Sequence, residues 1–366
     1  MIPLSIPQLS GNELKYVTEC IETGWVSSAG SYVTQFEQMV ADFSGNKYGV
    51  AASNGTSGLH LAMHMLGIGQ GDVVLVPNIT FIASANAIAY TKATPVFIDV
   101  DPETWQIDLD LLEDWLSRNN GEHVKAVMPV HVLGNMCDMP RLIHIAQEYS
   151  LQVIEDSTEA LGSYWEGKSA GSFGIMNVFS FNGNKIITTG GGGVIVTNDE
   201  SHAKRAKHLS TQSKVNPETY YHDEIGFNYR LVNVLAAIGV AQMEQLPEFI
   251  KKKKAIDTFY RTALKGVGDI TFQKVVDEVD PNCWLFTFYS SKQPEILAAL
   301  KENKIIARPF WYPMNQLPMF VENEYHTKSD HSRNIHANCM SIPSSVNLTE
   351  EDLNQVVQVI KGCFIY

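Results

Sequence analysis

The chain is poor in cysteine, and what it has is scattered: five residues, at 20, 137, 283, 339 and 363, without a CxxC pair. An odd number at unpaired spacings argues against a disulfide framework and a thiolate zinc site, and predicts reduced thiols in a cytoplasmic protein. Long apolar runs are missing too. No stretch approaches the roughly 18 residues of a membrane span, and residues 1–16 lack the basic-then-apolar order of a signal peptide. Positive charge is scarce, with 27 Lys and Arg against 40 Asp and Glu, a formal net charge of −13. That balance argues against a general nucleic-acid or anionic-membrane binder, because neither polyanion attracts an acidic surface. A small phosphorylated ligand stays open, since it needs only a few local donors.

What is present is a globular composition, 45% hydrophobic and 18% charged, in a chain of 366 residues, too long for one ordinary core. Buried strands are predicted at "VVLVPNITF" (73–81), "TPVFIDV" (94–100), "VKAVMPVHV" (124–132), "LQVIEDS" (151–157), "NVFSF" (177–181) and "GVIVTN" (193–198). Helix-period segments such as "DLDLLEDWLSR" (108–118) and "MPRLIHIAQEYS" (139–150) lie between them. Near-continuous apolar strands alternating with helices predict an α/β fold, a mostly parallel sheet covered on both faces. After residue 245 the pattern changes to a long amphipathic helix (247–267), a strand "CWLFTFYS" (283–290) and a closing helix (350–364). We therefore expect a large α/β domain over residues 1–245 and a small α+β domain over 246–366. The four lysines at 251–254 read as a solvated helix face.

Ligands of open α/β sheets bind beyond the C-terminal strand ends. The polar residues there are Thr80, His131, Asp156, Glu159 and Ser180, with a glycine-rich loop carrying Lys185 in "FSFNGNKIITTGGGG" (179–193). A lysine beside glycines is ordinarily a surface charge; a phosphate grip and a covalent bond compete with that reading. Nucleotide motifs fail: Asn184 and Ile186 flank Lys185 where a P-loop needs Gly and Ser or Thr, and "LGIGQGD" (66–72) follows a helix pattern instead of a strand. In "SNGTSGLHLAMHML" (53–66), Gly55, Thr56 and Ser57 open a helix, where free N–H groups and hydroxyls suit one phosphate. Simple N-capping explains the same residues equally well. Asp156 ends a buried strand, and no cluster of metal-ligand spacing accompanies it. One cofactor uses a lysine, a phosphate cup and a strand-end aspartate together: pyridoxal 5′-phosphate (PLP), whose ring nitrogen an aspartate keeps protonated.

With those motifs in order, the sequence resembles the DegT/DnrJ/EryC1/StrS family of sugar aminotransferases, most closely its LegC-like branch. The resemblance runs from "GNELKYVTECIETGWVSSAGSYVTQFE" (11–37) through "SNGTSGLHLA", "IEDSTEALGS", "GSFG", "FSFNGNKIITTGGGG", "HDEIGFNYRLVNVLAAIGVAQMEQL" (222–246) and "RPFWYP" (308–313) to "IPSSVNLTEED" (342–352). It implies an aspartate-aminotransferase-like fold of type I, with a mixed, mostly parallel seven-stranded sheet in the large domain. It implies that Lys185 is the Schiff-base lysine and proton shuttle, and that Asp156 partners the pyridinium nitrogen. By the same likeness Glu159 lies near the phenolic oxygen, Phe81 stacks on the ring, and Gly55, Thr56, Ser57 and Ser180 hold the phosphate. Asn228 reaches that phosphate from a second subunit, so the expected assembly is a homodimer with shared active sites. The implied reaction moves the amino group of L-glutamate, leaving 2-oxoglutarate, to the 4-keto carbon of a nucleotide-linked 4-keto-6-deoxy sugar. A related dehydrase carries histidine in place of this lysine, so Lys185 favours amination. The LegC-like branch points first to the UDP-linked 2-acetamido sugar. GDP-4-keto-6-deoxymannose (perosamine) and a dTDP-linked sugar are the alternatives, and a silent sensor of cofactor or nucleotide sugar is the remote one. Asn315 stands where relatives often carry His, on a segment near the substrate.

Overall fold

The computed structural model describes residues 1–119, 121, 123–216 and 218–364. Its central sheet has eight strands, in the spatial order Tyr48–Ala52, Gly193–Thr197, Met176–Ser180, Gln152–Asp156, Val124–Val127, Val73–Pro77, Thr94–Ile98 and Tyr325–His326. All neighbours pair in parallel except Gly193–Thr197, which runs antiparallel to the strand on each side of it. The expected α/β sheet is thus present with one more strand than the seven anticipated. The eighth is two residues long and polar, too short for any periodicity to show, and it docks on Thr94–Ile98 through Tyr325 and His326. Next to it, buried Asp99 accepts hydrogen bonds from the hydroxyls of Thr327 and Ser332 and the main-chain N–H groups of His331 and Ser332. Burial raises this carboxyl, but the bonds outweigh it and hold Asp99 below its ordinary range.

Side-chain alternation explains why the strands read as continuous apolar runs. Val74 and Val76 face one core and Leu75 the other; Phe97 faces the first and Val96 and Ile98 the second; Ile154 and Val153 divide in the same way. Each of these three strands buries both faces. A third core joins Ile256, Tyr260 and Leu264 to Phe286, Phe288, Met340 and Ile360 around a four-stranded sheet of residues beyond 270. The 32-residue helix Asn233–Leu264 bridges them, with Ala236, Val240 and Leu246 in the first core and its second half in the third. Among the described residues, no helix is long and apolar enough to cross a membrane.

Two local expectations change. The lysine run is not wholly solvated: Lys253 turns inward and is buried, while Lys254 pairs with Asp280. A helix face one residue further round meets the loop before Thr287, so the four lysines cannot share one environment. The strand expected over 283–290 is shorter, Thr287–Tyr289, and Cys283 and Trp284 lie in the loop that precedes it.

Candidate active site

The parallel strands end on one edge, and Gly193–Thr197, running the other way, begins there. Ser180, Gly193 and Ala52 form one row across three strands. Immediately beyond Ala52 the helix Gly55–Met65 starts, with Asn54 as N-cap. Asn54 Oδ1 accepts the N–H of Ser57 at 2.8 Å, and Ser57 Oγ accepts the N–H of Asn54 at 3.2 Å, a reciprocal capping box. Capping therefore falls to Asn54, which leaves the first two helical N–H groups, those of Gly55 and Thr56, without an intrahelical acceptor. Ser57, expected with them, is committed inward: its hydroxyl lies 3.0 Å from Ser53 Oγ and donates to the Asn54 carbonyl. Ser180 stands beside the cup, its Cβ 3.0 Å from where a Cβ on Gly55 would lie, and Thr158 is the next neighbour at 3.2 Å. The Ser180 hydroxyl has no partner among the described residues.

Asp156 is buried and its carboxylate is held on both oxygens, by Ser84 Oγ at 2.6 Å and the Thr158 N–H at 3.2 Å. Ser84 is in turn 2.9 Å from Thr80 Oγ1, so the strand end after Pro77 and the helix Ala83–Tyr90 fix the aspartate together. Glu155, one residue earlier, points to the opposite face. It accepts the N–H groups of Gly171, Phe173 and Gly174 and lies 3.0 Å from His131 Nε2. His131, expected at the ligand edge, is sealed in this lock.

Lys185 follows Asn182–Asn184 and sends its amine inward, with 11% of the side chain exposed. Nζ lies 3.5 Å from Glu159 Oε1 and 4.2 Å from the centre of the Trp284 ring. Glu159 is buried, and its Oε2 accepts the Leu133 N–H at 2.8 Å. Burial pushes its carboxyl up to about 7, an effect that the Lys185 amine and the Leu133 bond only partly offset. The site thus pairs an amine with a carboxyl poised to hold a proton near neutral pH.

Phe81 follows Thr80 directly, 55% exposed, with its ring edge-on to Trp311 at 6.3 Å. This places an exposed aromatic face, able to take a flat ligand, next to the Thr80–Ser84–Asp156 chain. Asn315 is pinned: its Oδ1 accepts from Asn78 Nδ2 and its N–H donates to Asn78 Oδ1, each at 3.0 Å. Asn228 is exposed, and within the described chain no hydrogen bond links it to this edge. Ser84, Thr158 and Trp284 escaped the sequence reading. A serine inside an apolar helix and a tryptophan about a hundred residues from the lysine carry no spacing signal.

A family model described as the DegT/DnrJ/EryC1/StrS aminotransferase family matches residues 7–361. The chain belongs to this family. It is similar to GDP-perosamine synthase of Escherichia coli O157:H7, at 39% identity over 98% of this chain and 97% of that one. It is 38% identical to GDP-perosamine synthase of Vibrio cholerae, over 100% and 99% of the two chains. Among solved structures, a DegT DnrJ EryC1 StrS aminotransferase from Brucella abortus superposes with a TM-score of 0.92 at 25% identity, covering 97% of this chain and 96% of that one. The aminotransferase is therefore PLP-dependent and acts on nucleotide sugars, as its family does. The residues fit the cofactor: two free helix N–H groups and an unpartnered hydroxyl for a phosphate, a buried hydrogen-bonded aspartate, an inward lysine and an exposed aromatic.

Proposed function

We propose that Lys185 forms the covalent bond to the cofactor and moves the substrate proton, Asp156 faces the pyridine nitrogen, and Glu159 the phenolic oxygen. Gly55, Thr56 and Ser180 take the phosphate, with Ser57 supporting the cup through its capping box, and Phe81 covers the ring. PLP, when bound, supplies an aldehyde and an electron sink. The chain supplies what makes them useful: an amine out of bulk water, a fixed anion and a cup for the phosphate. One observation carries the reading, the convergence of Lys185, Glu159 and Asp156 on the edge where Ser180 meets Gly55. Borohydride treatment of the holoenzyme should lock the cofactor onto the peptide containing Lys185. A label on another lysine overturns the assignment.

For the substrate, the relatives favour a GDP-linked 4-keto-6-deoxy hexose of the perosamine type over the UDP-linked acetamido sugar expected first. L-glutamate is the amino donor in this reading. The support is two GDP-perosamine synthases at 38–39% identity along nearly the whole chain. Offering the GDP, UDP and dTDP 4-keto-6-deoxy sugars side by side with glutamate tests it, with the highest kcat/KM expected for the GDP sugar. A clear preference for the UDP sugar restores the other choice and leaves the chemistry unchanged. We also propose a homodimer in which Asn228 completes the partner's phosphate cup.

A further inference from the structure

The Asn282–Trp284 segment comes from the last quarter of the chain, yet it touches both members of the Lys185–Glu159 pair. Asn282 donates its side-chain amide to the carbonyls of Glu159 at 2.8 Å and Leu161 at 3.0 Å, and its Oδ1 accepts the Trp284 N–H at 2.9 Å. The approach is close: a Cβ on Gly134 would lie 1.9 Å from Asn282 Oδ1. Trp284 is 3% exposed. Its indole N–H donates to the carbonyl of Asn184, the residue before Lys185, at 2.8 Å, and its ring centre lies 4.2 Å from the Lys185 amine. Ser5 donates its hydroxyl to the same Asn184 carbonyl at 3.1 Å.

Between Asn282 and Trp284, Cys283 adopts φ 55°, a left-handed conformation that a residue with a Cβ takes only where its surroundings impose it. Here the two flanking sets of bonds impose it, one toward Glu159 and one toward Lys185. A further tie holds the segment from behind. Buried Lys253 donates its amine to the carbonyls of Trp284, at 2.8 Å, and Ser344. Burial lowers that amine to about 7, while its N–H groups are spent on these two carbonyls.

We propose that Trp284 is a positioning residue for Lys185: its ring holds the amine against Glu159, and its indole N–H fixes the backbone from which the lysine extends. This rests on the reading of Lys185 as the cofactor-bonding lysine. A lysine has four rotatable bonds, and an aromatic face beside the amine restricts the directions in which it can meet an aldehyde. Loss of the ring should therefore slow covalent capture without emptying the cup.

Two cofactor forms separate positioning from binding. Pyridoxamine phosphate has no aldehyde and reports on the cup alone, whereas PLP reports on the cup and the amine. With full-length protein freed of cofactor, Trp284→Leu should slow capture of PLP on the order of tenfold while pyridoxamine phosphate affinity stays within about twofold. Capture is followed by absorbance and by borohydride trapping. Trp284→Phe keeps a ring face, loses the indole bond and should fall between. Native capture rates in the variants overturn the proposal, as does parallel loss of both ligands, which marks a merely structural residue. If Trp284→Leu does not fold, Trp284→Phe decides alone: a native capture rate overturns the proposal, and a slower one with intact pyridoxamine phosphate binding supports it. Native protein that binds neither ligand would instead remove the cofactor reading itself, and that is seen before any variant is made.

Discussion

The Lys185 amine and the Glu159 carboxyl face each other at 3.5 Å, yet burial leaves the carboxyl easier to protonate than in water. A desolvated acid beside a base can keep its proton near neutral pH and present an O–H to a ligand oxygen, which an ionised carboxylate cannot do.

The sign of the stability effect follows. The Glu159 carboxyl rises from 4.5 to about 7 on folding, so the native state takes up a proton between those values. Its contribution is fully present below about 4.5 and is lost as pH rises through about 7, a swing on the order of 3 kcal/mol. Glu159→Gln keeps the shape without the charge. In cofactor-free protein it should raise the melting temperature relative to native at pH 8, with the difference shrinking toward pH 5. A difference that does not change with pH would show that the carboxyl is ionised throughout.

Gly183, in the loop that carries Lys185, and Gly193, which opens the strand after it, offer a contrast. A Cβ on Gly193 would lie 2.6 Å from the main chain of Asn54 and 2.8 Å from the Gly55 nitrogen; one on Gly183 meets nothing within 4 Å. Gly193→Ala must push the strand away from the start of the helix that carries the cup, at about 1–3 kcal/mol or more. We expect lower stability and weaker retention of PLP in Gly193→Ala, and a near-native Gly183→Ala. Melting curves with and without added cofactor compare them. Equal behaviour of the two variants would mean that the close approach at Gly193 is not needed.

Much of this candidate site could be read from the sequence because its parts sit at ends of strong elements. Asp156 closes an apolar strand, Gly55 opens an apolar helix, and Lys185 interrupts a run into four glycines, so each is marked by its neighbours. Ser57 was ambiguous, because a serine three residues after Asn54 serves a capping box as readily as a phosphate. His131 misled for another reason: a strand end has two faces, and only tertiary packing shows that the imidazole meets Glu155. Trp284 and Lys253 were illegible, one inside an apolar run and one inside a lysine run, since their partners lie tens of residues away in the chain and no local pattern marks them. The eighth strand, two residues long, gave no pattern at all.

Ser84 links to Asp156 through a 2.6 Å bond, shorter than any other bond the carboxylate makes. If Asp156 faces the pyridine nitrogen as proposed, Asp156→Asn removes that anion and should slow the half-reaction with glutamate by ~4 kcal/mol or more of barrier. Ser84→Ala keeps the charge and loses one charge-assisted bond, so the loss should be nearer ~1.5–3 kcal/mol. Single-turnover rates with glutamate give both numbers. If Ser84→Ala matched Asp156→Asn, the serine would have a role beyond holding the carboxylate; if Asp156→Asn were near native, the aspartate would be only a satisfied strand end.

Asn228 is the residue that one chain cannot place by itself. Phe227 and Tyr229 stack on each other at 5.0 Å and both pack on His60, while the Tyr229 carbonyl accepts the Ser53 N–H at 2.7 Å, two residues from Gly55. Alternation in an extended segment, bridged to Thr211, then turns the Asn228 side chain outward, where it is exposed and makes no hydrogen bond among the described residues. A polar side chain held out on a braced segment is suited to reach a second subunit. If it completes the partner's cup, an Asn228→Ala chain and a Lys185→Ala chain each form defective homodimers. Their heterodimer then has one site that lacks both residues and one that has both. Mixing the two under conditions of subunit exchange should restore about half of native turnover per heterodimer. Exchange without any recovery would mean that each chain completes its own site, and native turnover of the Asn228→Ala homodimer would make Asn228 an ordinary surface residue.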